Sequence, residues 1–140
     1  MEIPGGSVAV VTGAASGIGA ATVGRLARDG WIVVCCDIDN GVGEAVAATH
    51  GGTYTHLDVG DAAGWDDLAT RLDRAGRPVG RLVLNAGTLT SLAPRAFLDV
   101  TVERYRRVRA VNLDGVVFGI SALAPVMARH GGGAIVATAS

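Results

Sequence analysis

Thr12-Gly13-Ala14-Ala15-Ser16-Gly17-Ile18-Gly19 lies between a short apolar run, Ser7-Val8-Ala9-Val10-Val11, and an alanine-rich segment, Ala20 to Arg28. A glycine-rich turn joining a buried strand to a helix is a site for phosphate. Glycines allow a tight turn and let backbone N–H groups reach an anion with no Cβ in the way. Aligned peptide dipoles add about half a positive charge at the helix N-terminus. The spacing is G-x-x-x-G-x-G rather than the commoner G-x-G-x-x-G, and a bare glycine pattern also suits an ordinary turn. The strand before it and the helix after it are the context that dinucleotide binding requires.

Outward from this turn, strand-like and helix-like segments alternate. Ser7 to Val11 is the first strand. Gly17 to Asp29 is the first helix, with Ile18, Thr22 and Leu26 on one face and Gly30 as a stop. Trp31 to Cys36 is a second strand without polar alternation, as a parallel strand covered on both faces requires. Asn40 to Thr49 reads as a short helix weakened by Gly41 and Gly43. Thr53 to Leu57 is a third strand. Asp61 to Ala75 is a third helix, capped by Asp61, with Trp65, Leu68 and Leu72 on one face. Arg81 to Leu84 is a fourth strand, followed by a loop from Thr88 to Val100. Thr101 to Arg129 is one long helix with Val108, Val111, Gly115, Phe118 and Ala122 along a face. Pro125 should bend its last turns. Ala134 to Thr138 is a fifth strand. Strands separated by helices imply parallel β-α-β units with right-handed crossovers. The expectation is an α/β, Rossmann-type, doubly wound parallel sheet of about five strands, forming one domain over residues 1–140. Ligands of such sheets sit beyond the carboxyl ends of the strands.

The chain has 140 residues, 49% of them hydrophobic, and a formal net charge of −1. Those values argue against disorder and against any general attraction to nucleic acid or membrane. Met1 to Gly6 is too short and polar for a signal peptide. No apolar run is expected to approach the roughly 20 residues that span a bilayer. Adjacent Cys35 and Cys36 would point to opposite faces of a strand, which suits burial better than a disulfide or a metal site. A reducing cytoplasm is the natural compartment. The three histidines have no ligand-spaced partners, so no metal is expected; His130 suits the C-terminus of the long helix. The run Arg104, Arg106, Arg107 and Arg109 reads as a solvated face.

The second strand ends at Asp37, 18 residues after Gly19. A carboxylate there can accept hydrogen bonds from both ribose hydroxyls of an adenosine and would repel a 2′-phosphate, which favours NAD over NADP. Neither Ser16 in the turn nor Ile38 after Asp37 is basic, so neither offers a 2′-phosphate a partner. Asp58, after the third strand, suits either the adenine amino group or an ordinary loop acid, and spacing does not decide between them. The fourth strand runs into Asn85-Ala86-Gly87, whose small residues permit close approach by a ligand.

Thr12 to Gly19, Asp37, Asp58-Val59, Asn85-Ala86-Gly87 and Val111-Asn112-Leu113-Asp114-Gly115, in this order and spacing, resemble the short-chain dehydrogenase/reductase family over the whole chain. The resemblance implies NAD(P) on a Rossmann sheet and interconversion of alcohols and carbonyls. It implies that Gly13, Gly17 and Gly19 cradle the pyrophosphate, with Ser16 and Ile18 in the same turn. Asp37 and Ile38 would meet the adenosine ribose, Asp58 and the Val59 backbone the adenine, and Asn85, Ala86 and Gly87 would flank the cofactor. Asn112 matches the family asparagine whose backbone carbonyl holds a water in the proton relay. Ser140 matches the catalytic serine that hydrogen-bonds the substrate oxygen.

Two departures stand out. Position 84 is Leu where the family usually reads Asn. The family's Tyr-x-x-x-Lys pair would lie about a dozen residues beyond Ser140, and these 140 residues contain no lysine. Tyr54 lies in the third strand, and Tyr105 is expected to be a partly buried helix residue. The expectation is the cofactor-binding half of an NAD-dependent oxidoreductase acting on a small secondary alcohol or ketone, a homo-oligomer when intact, with its fifth strand an exposed edge. The rival is a non-catalytic NAD-binding module. A Rossmann-type methyltransferase fits the turn and Asp37, but Asn85-Ala86-Gly87 with Asn112 argues against it.

Overall fold

The computed structural model describes residues 6–89 and 100–139. Its strands are β1 Val8–Thr12, β2 Ile32–Asp37, β3 Thr53–His56, β4 Val79–Leu84 and β5 Ala134–Ala137. Its helices are α1 Gly17–Arg28, α2 Asn40–His50, α3 Ala62–Arg74, α4 Val102–Arg109 and α5 Gly115–Arg129, with a π-helical turn, Ala110–Asp114, joining the last two. The strands form one parallel sheet in the order β3-β2-β1-β4-β5. The expected Rossmann-type architecture is therefore present.

β1 sits at the centre because all five of its residues are buried. Alternate residues feed two cores. Val10, Cys36 and Leu82 pack with Trp65 and Leu68 of α3 and Leu123 of α5. Val11, Val33 and Cys35 pack with Val23 of α1 and Ala47 of α2. Helices thus cover both faces, as a parallel sheet requires.

The adjacent cysteines fall on opposite faces, as expected, and both are free and buried. Burial pushes the Cys35 thiol up to about 11 and the Cys36 thiol up to about 12, against an ordinary value of 9.0. Stability is therefore intact below about pH 9 and falls as pH rises from there toward 11–12. The unfolded chain releases thiol protons in that window and the folded chain keeps them, at up to ~1.4 kcal/mol per pH unit for each thiol. Urea melts between pH 8 and 11 should show the decline. A thiol reagent should label neither cysteine in the native chain and both in urea; fast native labelling would contradict their burial.

Four differences from the expected elements have physical causes. α1 buries Gly19, Val23 and Gly24; of the expected face, Leu26 packs partly buried against the core. Ile18, 67% exposed, turns outward beyond the strand ends. β4 starts at Val79, because Gly80 is accommodated as an irregularity in the pairing with β1. There the Trp31 ring lies over Gly80, where a Cβ would come within 2.7 Å of it, and the Arg81 guanidinium stacks on that ring at 4.8 Å. The long helical run contains a π turn, after which the fully buried line is Gly115, Gly119, Leu123, Val126 and Met127; Val111, Phe118 and Ala122 of the expected face pack partly buried against the same core. Tyr105 is 58% exposed rather than partly buried.

The expectation that no stretch approaches span length is also corrected. The continuous helical run Val102–Arg129, 28 residues with a mean hydropathy of 1.6 in its most apolar window, is long and apolar enough to cross a membrane by length and composition. Its inner residues pack against β4 and α3, where Leu84 and Trp65 leave room only for Gly119. Leu84 thus fills the core instead of making a polar contact. The C-terminus of the helix is tied to α3, with Asp73 accepting from Arg129 Nε and bridging to His130, each at 3.3 Å. The hydrogen bond from Arg129 holds the Asp73 carboxyl below its ordinary range. β5 pairs with β4, and all four of its residues are exposed in this chain.

Candidate functional site

The chain runs outward from β1 to β3, then crosses to the other side of β1 to begin β4. This reversal opens a crevice beyond the carboxyl ends of β1 and β4, the place where such sheets hold ligands. A cleft of about 600 Å³ occupies it.

The glycine turn forms its floor. Gly13 has φ +64°, and a Cβ there would lie 2.9 Å from Ala86 Cα. Gly17 has φ +51° and open space beside it. Gly19 does not line the cleft: a Cβ on it would overlap the Gly13 carbonyl, so it lets α1 start tight against the turn. The turn is therefore a cradle that side chains would fill, and it fits a dinucleotide's phosphates at the N-terminus of a 12-residue helix.

Thr12, buried at the end of β1, binds the two halves together. Its Oγ1 accepts from Asn85 N and Ala86 N, each at 3.0 Å. Sequence reasoning missed this role. The available signal was a hydroxyl ending a buried apolar run, because a buried polar group needs a partner. Asn85 Nδ2 donates to the Thr12 carbonyl at 3.4 Å, and Asn85 Oδ1 accepts from Thr138 Oγ1 at 3.2 Å. Thr138, also missed, lines the cleft with Asn85, Ala86 and Gly87.

Asp37 ends β2 at the other side. Its Oδ2 accepts from Ala15 N at 2.9 Å and its Oδ1 from Asp39 N at 3.1 Å. Each oxygen keeps acceptor capacity for one more donor, which suits a pair of vicinal hydroxyls. Asp37, Ile38, Ser16, Gly17 and Ile18 share the cleft wall. Asp58 and Val59 line it after β3. Asp58 Oδ1 accepts from Gly60 N at 2.9 Å, and the Val59 carbonyl accepts from Trp65 Nε1 at 2.9 Å. A ligand contact at the Val59 backbone would thus use its N–H. Arg107, expected to be merely solvated, also lines the cleft.

Asn112 lies in the π turn and outside the cleft lining. Its Oδ1 accepts from Thr88 N at 2.7 Å and its Nδ2 donates to Thr88 O at 2.9 Å, which anchors the segment after β4. Gly115 N–H reaches back five residues to Ala110 O. Such a turn changes which carbonyls the helix ladder engages, and π turns recur at functional sites. Ser140 lies outside the described residues.

The family model described as short chain dehydrogenase matches residues 7–140. The chain belongs to the short-chain dehydrogenase family. This oxidoreductase family binds nicotinamide cofactors. The cis-4-hydroxycyclohexanecarboxylate dehydrogenase of Sinomonas cyclohexanicum is 40% identical over 140 residues, covering 95% of this chain and 54% of that protein. The NADP-dependent (R)-specific alcohol dehydrogenase of Lentilactobacillus kefiri is 39% identical over 118 residues, covering 81% of this chain and 46% of that protein. A crystal structure described as ribose-5-phosphate isomerase from Brucella melitensis superposes with a TM-score of 0.87 at 33% identity, covering 97% of this chain and 52% of that one. The short-chain dehydrogenase chain thus spans about half the length of the curated relatives it matches.

Proposed function

We propose that this chain is the NAD-binding half of a short-chain dehydrogenase that interconverts a small secondary alcohol and its ketone. The observation that carries the cofactor choice is the Asp37 carboxylate, fixed by the Ala15 and Asp39 N–H groups at the cleft wall. The charged side chains lining the cleft are Asp37, Asp58, Asp61 and Arg107, a set adverse to an extra phosphate beside Asp37. The L. kefiri relative is named NADP-dependent; the cofactor choice proposed for this chain rests on its own Asp37.

Bound nicotinamide would supply hydride transfer. The chain's own residues do the rest. Gly13, Ser16, Gly17 and Ile18 hold the pyrophosphate, Gly19 keeps their helix close, and Asp37 with Ile38 takes the adenosine ribose. Asp58 and the Val59 N–H meet the adenine. Asn85, Ala86 and Gly87 flank the far half. Asn112 positions a water through its carbonyl, and Ser140 donates to the substrate oxygen. Leu113, Val117 and Ile120 are exposed at i, i+4 and i+7, which supports pairing of the intact protein with a second copy. The buried free thiols support a cytoplasmic setting.

Titration with NADH and NADPH, read by energy transfer from Trp31 and Trp65, tests the cofactor. NADH should saturate, and NADPH should bind at least ~10-fold more weakly, a difference of about 1.4 kcal/mol. Tighter NADPH would reverse the assignment, and no saturable response to either would remove the binding reading. A second reading is an NAD-binding module without turnover: neither Tyr54 nor Tyr105 lines the cleft. Tyr54 is engaged on β3 and Tyr105 lies on α4, before Asn112. NADH oxidation with a ketone panel separates the two readings.

A further inference from the structure

Beside Asp37, on the outer side of the sheet, three polar side chains meet. Tyr54 Oη lies 2.8 Å from the Asp37 main-chain oxygen, to which it donates, and 2.8 Å from Asn40 Oδ1. His56 Nδ1 lies 2.8 Å from the same Asn40 oxygen. The Asp37 main-chain oxygen also accepts from Leu57 N at 3.0 Å, so both its lone pairs are engaged. Asn40 is the first residue of α2, whose cap, Asp39, accepts from Val42 N at 3.1 Å. The Tyr54 ring rests on Gly43 so closely that a Cβ there would overlap Cε2. A glycine in the middle of a helix is otherwise a cost; here it seats the ring. Burial and then the Asp37 charge raise the phenol's pKa, so the hydroxyl keeps its proton and remains a donor.

We infer that Tyr54, seated on Gly43, is a positioning residue that sets the Asp37 carboxylate for a ribose without a 2′-phosphate. This inference rests on the NAD reading above. Asp37 is held at four points: its carboxylate by Ala15 and Asp39, and its carbonyl by Leu57 and Tyr54. The first three are backbone N–H groups. The fourth is a side chain, and so it is the one that substitution can remove. Without it, the Asp37 carbonyl keeps only its bond from Leu57 N, and the start of the β2–α2 connection is held to β3 by one bond fewer.

Tyr54→Phe keeps the ring on Gly43 and removes only the hydroxyl. It should weaken NADH by roughly 3- to 10-fold, the range of one net hydrogen bond, leave NADPH affinity unchanged, and lower the melting temperature by no more than the few degrees that one such bond is worth. The NADH/NADPH affinity ratio therefore falls. Gly43→Ala, which displaces the ring, should lower the same ratio. A purely structural tyrosine would leave the ratio constant, whether it lowered the melting temperature, weakened both nucleotides alike, or did both. An unchanged ratio in Tyr54→Phe, with wild-type protein that binds NADH, overturns this inference and leaves the NAD reading intact. Wild-type protein that binds neither nucleotide, or prefers NADPH, overturns both.

Discussion

Gly13→Ala is expected to remove nucleotide binding and to lower stability by roughly 2–5 kcal/mol. Two costs add. At φ +64° an L side chain is strained, by about 1–2 kcal/mol. The new Cβ would also stand 2.9 Å from Ala86 Cα and 3.1 Å from Ala86 N. Those are backbone atoms held by Thr12 Oγ1, so they cannot swing aside as a flexible side chain would. Overpacking of this kind costs about 1–3 kcal/mol. Relief requires β1 and β4 to part at their ends, which widens the cleft floor where the phosphates would sit. Gly17→Ala is the control. It has a similar φ of +51° but open space around it, so it should show the backbone strain alone, about 1–2 kcal/mol. Urea unfolding and NADH titration of both variants check the pair. Wild-type stability in Gly13→Ala would mean that the β1–β4 contact is looser than described.

Trp65→Ala should be the most destabilising change in the core, by about 3–5 kcal/mol. The indole is fully buried between α3, β4 and α5. It also fills the space beside Gly119, where a Cβ would come within 2.8 Å of Cη2. Its Nε1 donates to the Val59 carbonyl at 2.9 Å, so truncation leaves both a void and a buried acceptor without its partner. Against a total stability of ordinarily 5–15 kcal/mol, the melting temperature should drop by roughly 10 °C or more. Trp65→Phe keeps most of the volume and loses the N–H, so it should cost about 1–3 kcal/mol. Because Val59 lines the cleft, Trp65→Phe should weaken nucleotide binding more than an equally destabilising change at Leu72, which lies away from it. Calorimetry with a parallel titration measures both effects. Equal binding losses at Trp65 and Leu72 would show that the Val59 contact has no special standing.

Much of this molecule was legible before its structure. Short apolar runs alternating with helix-like segments pointed to a parallel sheet, so β1, β2 and most of β4 were legible, although β4 begins two residues earlier than its sequence suggests. Asp37 was legible because a carboxylate at the end of such a run has no packing reason to be there. Other features depend on contacts that sequence spacing does not encode. Ile18 matched the core period of α1 and yet faces the cleft, because Gly19, not Ile18, must meet the Gly13 carbonyl. The π turn at Ala110–Asp114 has no compositional mark; it shows in the Gly115 N–H bond back to Ala110 O, and in Gly115 sitting where a Cβ would come within 2.8 Å of Val59. Gly43 read as a weak spot in α2 until Tyr54, eleven residues on in another element, was found resting on it.

The strand order has a consequence for the nascent chain. β1 meets β2 24 positions later in sequence, at Val8 and Ile32, but meets β4 only 71 positions later, at Val8 and Val79. At ~5–20 residues per second of synthesis, several seconds separate the emergence of the two neighbours. During that interval the Asp37 end of the crevice can pair and close, while one edge of the central strand, together with the face destined for α3 and α5, stays bare. Loop-closure entropy makes the later, more distant pairing the slower step. The most buried strand of the finished protein is thus the one exposed longest while the chain is being made.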